Sequence, residues 1–242
     1  MPTNEFERAV AELSAALRLR PEDADLYSSR GNAQAALGHW VRAVADYTAA
    51  IRLRPIWAAL RYDRGLAYTN LDRWEEALED FNQALRQWPE DAATHYQRGL
   101  VYARLEKWTS ALADFDAALR VRPDDASTCY ERAYTRARLS DLSGALADYD
   151  AALRLRPGDY NALQNRGAVR ARVGDTSGAL ADLNAAIRQH PQEARAYYLR
   201  ATIYQTLKDN AAAREDLHTA LRLTKDEALR KQAEEALGEL KE

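Results

Sequence analysis

Residues 92–125, AATHYQRGLVYARLEKWTSALADFDAALRVRPDD, hold one complete copy of the pattern that decides this fold. In the second half, Ala111, Leu112, Phe115, Ala118 and Leu119 fall on one apolar stripe at helical spacing. Pro123 keeps that helix from continuing. The spacing predicts a first helix over Ala92 to Leu105 and a second over Ser110 to Val121. Gly99, Ala111 and Ala118 are small enough to let the two backbones approach closely, and a large side chain at any of them would overpack the contact.

The same columns recur along the chain in steps of 34 residues. Proline stands at Pro21, Pro55, Pro89, Pro123, Pro157 and Pro191. Glycine or alanine stands at Gly31, Gly65, Gly99, Ala133, Gly167 and Ala201. Two alanine columns run from Ala43 to Ala213 and from Ala50 to Ala220. Between them lie Tyr47, Phe81, Phe115, Tyr149, Leu183 and Leu217. No insertion interrupts the series.

This small–aromatic–small–proline spacing at a period of 34 resembles the tetratricopeptide repeat, a helix–turn–helix unit, over nearly the whole chain. The resemblance implies an all-α fold, a right-handed α-solenoid (superhelix) forming one domain over 1–242. Its full repeats would be 24–57, 58–91, 92–125, 126–159, 160–193 and 194–227. Residues 1–23 would be an N-terminal half repeat, carrying Phe6, Ala9, Leu13, Ala16 and Leu17. Residues 228–242 would be a polar C-terminal capping helix, of the kind that keeps a solenoid soluble. Thr224, Lys225, Asp226 and Glu227 read as its capping box.

Composition agrees. The chain is 47% hydrophobic, too apolar for a disordered segment, and its 10 Gly and 7 Pro leave little for turns between many strands. The net charge of −3 argues against a nucleic-acid binder, which would more often carry a basic excess. One cysteine, Cys129, cannot form an internal disulfide. No apolar run is long enough to span a membrane, and residues 1–10 have no signal-peptide core, so the expected location is cytoplasmic.

With Gly99 at zero and about 100° per residue, Arg98 falls near −100°, on the side of Leu105 that faces the second helix. Its column is Arg30, Arg64, Arg98, Arg132, Arg166 and Arg200, where the family usually has leucine. A matching acidic column, Asp46, Asp80, Asp114, Asp148, Asp182 and Asp216, predicts six Arg–Asp pairs of structural purpose, because an unpaired buried charge is expensive. Arg18, Arg52, Arg86, Arg120, Arg154, Arg188 and Arg222 close the second helices on the solvent side, where cations complement the helix dipole.

The opposite flank of the first helices carries Tyr62, Tyr96, Tyr130 and Tyr198, then Asn32 and Tyr134, then Asn70, Arg104, Arg138 and Arg172, with Asn165 beside them. In the family this flank lines the concave groove. Tyrosine and arginine are the residues binding hot spots favour, and an arginine ladder can grip carboxylates or phosphates. For each single tyrosine, packing between repeats is the leading reading; the arginine ladder is the more informative feature, with a solvated face as its other reading. Trp40, Trp74 and Trp108 share a column near the inter-helix turn. Trp57 and Trp88 break the rhythm and are read either as gap fillers or as a contact patch.

His39, His95, His190 and His218 occupy unrelated columns without metal spacing. No glycine-rich phosphate loop appears and Cys129 has no nearby histidine. The expectation is therefore a chain that is not an enzyme and needs no cofactor or metal. It would be a scaffold or adaptor holding an extended or helical segment of another protein, acidic in character, in the groove. The alternative is a self-associating structural protein, and the second alternative a helical repeat that reads nucleic acid.

Overall fold

The structure, a computed structural model, describes residues 2–240, with side chains from Asn4 onward. Residue 1 and residues 241–242, which open the expected half repeat and close the expected capping helix, lie outside the described residues. Every element among the described residues is a helix, and the chain divides into two compact units, Met1–Pro123 and Asp124–Glu242.

The first unit contains α1 (Pro2–Leu19), α2 (Ala24–Ala36), α3 (Trp40–Leu53), α4 (Ala58–Thr69), α5 (Trp74–Gln87), α6 (Ala92–Arg104) and α7 (Trp108–Val121). The second contains α8 (Ala126–Arg138), α9 (Leu142–Leu155), α10 (Tyr160–Arg172), α11 (Thr176–Gln189), α12 (Ala194–Thr206), α13 (Asn210–Leu223) and α14 (Glu227–Glu239). Within each unit every helix packs on the next in sequence, so the fold class is an all-α array of stacked helix pairs.

Local chemistry sets the helix ends. Asp23, Asp91, Asp125 and Asp159 cap first helices, accepting hydrogen bonds from backbone N–H groups of the first turn. Trp57 and Glu193 occupy the same position before α4 and α12 and supply no such bond. Each first helix then reverses through one residue in the left-handed region: Gly38, Asp72, Glu106, Ser140, Gly174 and Lys208, with φ between 55° and 83°.

Three expectations shift. The second helix of the quoted stretch starts at Trp108, two residues before Ser110, because the tight left-handed turn at Glu106 leaves Lys107 as its N-cap. The capping residue of α14 is Asp226, whose carboxylate accepts from the N–H groups of Ala228 and Leu229, whereas Thr224 ends α13. Phe6 of α1 remains 39% exposed, since no first helix among the described residues packs against it.

Inside each pair the small columns lie against the large ones. A methyl group added at Gly99 would sit 2.7 Å from the Phe115 ring, and Gly31 and Gly65 stand in the same relation to Tyr47 and Phe81. Phe115 and Phe81 are completely buried there. Burial of such a side chain stabilises by about 1.5–3 kcal/mol. Trp40 and Trp74, each the first residue of a second helix, pack against the neighbouring cores.

The arginine and aspartate columns meet as fork-to-fork pairs in all six repeats. Nε donates to Oδ2 over 2.7–2.9 Å and Nη2 to Oδ1 over 2.6–2.7 Å. The aspartates are only 2–5% exposed. The third nitrogen does something the sequence did not suggest: it reaches back to the second helix of the preceding repeat. Nη1 of Arg30, Arg64 and Arg98 donates to Ser14, Thr48 and Asn82, and that of Arg166 and Arg200 to Asp150 and Asn184. One guanidinium thus joins three helices. Among the described residues, aspartates of this column also meet a second cation: Arg61 at Asp80, His95 at Asp114, Arg136 at Asp148 and Arg170 at Asp182.

Candidate functional site

With that flank of the first helix occupied by the guanidinium pairs, the opposite flank is free to offer its side chains outward. In the first unit Tyr62 and Tyr96 are half-buried. Each ring leans on the aromatic ring of its own second helix, Tyr62 on Phe81 and Tyr96 on Phe115, at 6.1 Å and 53°. Such pairs fix a ring's orientation. Burial raises the hydroxyl of Tyr62 above the ordinary tyrosine range. Asn32 is exposed and accepts a 2.7 Å hydrogen bond from the Tyr47 hydroxyl, while Asn70 donates to the Leu66 carbonyl at the end of α4. Arg104 is exposed at the last turn of α6.

In the second unit Tyr130 packs edge-on against buried Tyr149 at 5.9 Å, and Asn165 donates to the Tyr130 hydroxyl at 2.9 Å. Burial pushes that hydroxyl up to about 12 and that of Tyr149 further still. Arg138 reaches the Tyr134 hydroxyl at 3.4 Å, and Arg172 the Ala137 carbonyl at 3.4 Å. Both arginines are exposed. Tyr198 is half-buried against the cores around Leu217 and Ala220. In this unit the structure thus joins Tyr130 to Asn165 and Tyr134 to Arg138, while Arg172 reaches only the backbone at Ala137, and Tyr62, Tyr96 and Tyr198 have a packing role as well as an outward edge.

The two irregular tryptophans part company. Trp57 is half-buried against the first core and lies 4.4 Å under the Arg54 guanidinium, so it fills a gap. Trp88 is 53% exposed on the loop after α5, and Ile56, beside Trp57, is 83% exposed.

One residue of this surface escaped the sequence reading. Asp63, on α4, is half-buried beside Tyr47 and Tyr62, and among the described residues it has no cation at ion-pair distance. Burial holds its carboxyl up at about 6. Its column holds Ser29, Gln97, Glu131, Asn165 and Leu199 elsewhere, and that lack of repetition left it without a signal.

Aromatic edges, amides and guanidinium groups on a rigid frame are the chemistry of non-covalent recognition. Cys129 is buried, and burial raises its thiol, which leaves it a poor nucleophile. Among the described residues no group of His, Cys, Asp or Glu could hold a metal ion, and no helix is long and apolar enough to cross a membrane.

Comparison with known proteins agrees with the repeat pattern. A tetratricopeptide repeat family model matches residues 29–92, 62–127 and 96–160, and related models match 3–38, 133–197 and 194–227. No curated protein matches the sequence. The solved structure of YrrB, described as a TPR protein with an unusual peptide-binding site, is 27% identical with a TM-score of 0.68. That match covers 76% of this chain and 95% of YrrB. A tetratricopeptide repeat protein from Parabacteroides merdae ATCC 43184 is 23% identical with a TM-score of 0.69, over 97% of this chain and 93% of that one. The C-terminal part of a TPR repeat-containing protein from Cytophaga hutchinsonii is 16% identical, with a TM-score of 0.74 and 95% of each chain covered. The chain belongs to the tetratricopeptide repeat family.

Proposed function

We propose that this protein is a non-catalytic scaffold that holds an extended or helical segment of a partner protein along the first-helix flank, with a preference for acidic segments. The observation that carries the reading is the construction of that flank. Tyr62, Tyr96 and Tyr130 are anchored by rings beneath them, so they can contact a partner while losing little further freedom on binding. Arg104, Arg138 and Arg172 stand exposed at the last turns of successive first helices, where they can meet carboxylates. The likeness to YrrB, a protein described as having a peptide-binding site, supports the same use.

Affinity capture from the native host, repeated with Tyr96→Ala and Arg138→Ala, tests this. The expected result is one captured protein lost from both variants. Unchanged capture by both would move the binding site to the loops or the ends.

A second reading, self-association, is favoured by one observation, the exposure of Ile56 and Trp88 on inter-repeat loops. Sedimentation at several concentrations separates the two, since a monomer throughout removes it.

A further inference from the structure

The second unit contains an open pocket of about 370 Å³ between α10, α11 and α12. Two repeat columns change character here at once. The column that holds Leu66, Leu100 and Tyr134 falls to Ala168 and Thr202, which removes the bulk that would fill the space. The column that is polar at Asp63, Gln97, Glu131 and Asn165 becomes Leu199, which makes the wall apolar.

Leu183 and Ile203, both buried, form the floor. Thr202 and Thr206 line the side, but each turns its hydroxyl hydrogen onto a carbonyl of its own helix, Leu199 and Ile203, at 2.7 Å. Thr176 adds a third hydroxyl to the lining, directed to the Gly174 carbonyl at 3.5 Å, and the rest is hydrocarbon with one charged group, Arg172. Among the described residues Arg172 forms no ion pair, and its one hydrogen bond, to the Ala137 carbonyl, is long at 3.4 Å. A guanidinium has five N–H donors in a fork that matches a carboxylate.

We infer that this pocket is a specificity site for a partner segment presenting a large apolar side chain next to an internal aspartate or glutamate. The inference rests on the binding role proposed above and names the residue pair selected. The apolar side chain enters over Leu183 and Ile203, and the neighbouring carboxylate meets Arg172. A single cation, with no second one in the lining, matches one side-chain carboxylate better than a doubly charged acidic chain end.

Nine-residue peptides, acetylated and amidated so that no terminal charge remains, can be titrated into the full chain. Their centres would be Leu-Glu, Leu-Lys or Ser-Glu within Gly/Ser flanks, and the readout the methyl NMR signals of Leu183, Leu199 and Ile203. The Leu-Glu peptide is expected to shift these signals saturably. The Leu-Lys peptide should bind about tenfold more weakly, the scale of one charge-assisted pair, and the Ser-Glu peptide should leave the signals in place.

Arg172→Ala should erase the difference between Leu-Glu and Leu-Lys. Ala168→Leu, which installs the residue already present at Leu66 and Leu100, should fill the pocket and abolish the shifts while the helical circular dichroism stays unchanged. Equal binding of Leu-Glu and Leu-Lys, or unaltered binding by Ala168→Leu, would overturn the inference. Loss of the captured partner from Tyr96→Ala and Arg138→Ala, with full retention by Ala168→Leu, would overturn the pocket alone and leave the binding role standing.

Discussion

Arg98 grips both oxygens of Asp114 at 2.6 and 2.8 Å and, with its remaining nitrogen, takes hold of Asn82 of the preceding repeat at 2.7 Å. The pair ties the two helices of one repeat, and the bond to Asn82 ties that repeat to the one before it. Asp114→Ala leaves Arg98 and His95 without their counter-charge in a site nearly closed to water, and should destabilise by about 3–5 kcal/mol. Arg98→Met combined with Asp114→Leu should lose less than Asp114→Ala alone, because no unpaired charge remains. Urea unfolding followed by circular dichroism measures both, and a loss in the double variant equal to or larger than that of Asp114→Ala would remove the pair as a coupled unit.

His95 offers a pH test of the same site. Its Nδ1 lies 2.8 Å from Asp114 and its Nε2 2.9 Å from the Pro89 carbonyl, so both nitrogens face acceptors and the protonated ring is the satisfied form. The hydrogen bond to Asp114 raises its pKa above 6.5 against the opposing effect of burial. A raised histidine stabilises fully below 6.5, and that contribution is lost as pH rises through the folded value. His95→Gln should therefore lower the melting temperature at pH 6 more than at pH 9. An equal loss at both would show that the ring acts by packing alone.

Asp63 predicts the opposite kind of variant. Its carboxyl is held at about 6 by burial, so the folded state favours the protonated form. Stability that is present below the unfolded value of 3.8 is lost as pH rises through about 6. Asp63→Asn should leave stability unchanged at pH 3.5 and increase it at pH 8 by about 1 kcal/mol, the shift being discounted for solvent screening. Matched unfolding curves at the two pH values provide the check.

The left-handed turn yields a prediction on backbone strain. Lys208 has φ of 60° where Gly38 and Gly174 serve in other repeats. A side chain in this region costs about 1–2 kcal/mol, partly offset by the greater freedom of glycine in the unfolded chain. Lys208→Gly should raise stability by about 0.5–1 kcal/mol. Gly174→Ala should lower it. Thermal unfolding of both variants decides the matter, and a loss from Lys208→Gly would point to a side-chain contact outweighing the strain.

How far the sequence could be read depended on repetition. Gly99 and Phe115 announced their contact because the same small and large residues return every 34 positions, and the Arg98–Asp114 pair followed from two matching columns. The reach of Arg98 back to Asn82 did not follow, because its partner column is Ser14, Thr48, Asn82, Asp150 and Asn184, alike in accepting a hydrogen bond but not in identity. Trp57 and Trp88 looked equivalent as exceptions. Only the distance to a core and to Arg54 separated the buried ring from the exposed one.

The order of residues by itself determined the helices, their pairing and the small-to-large fit between them, since helical periodicity and close packing act over a few turns of one repeat and are copied six times. Tertiary structure decided what lies between repeats: the three-helix grip of Arg30, Arg64, Arg98, Arg166 and Arg200, the isolation of Asp63, and the opening left where Ala168 and Thr202 come together beside Arg172. Those features depend on which side chains from separate helices share one volume, and a volume is filled or left open only when the helices are in place.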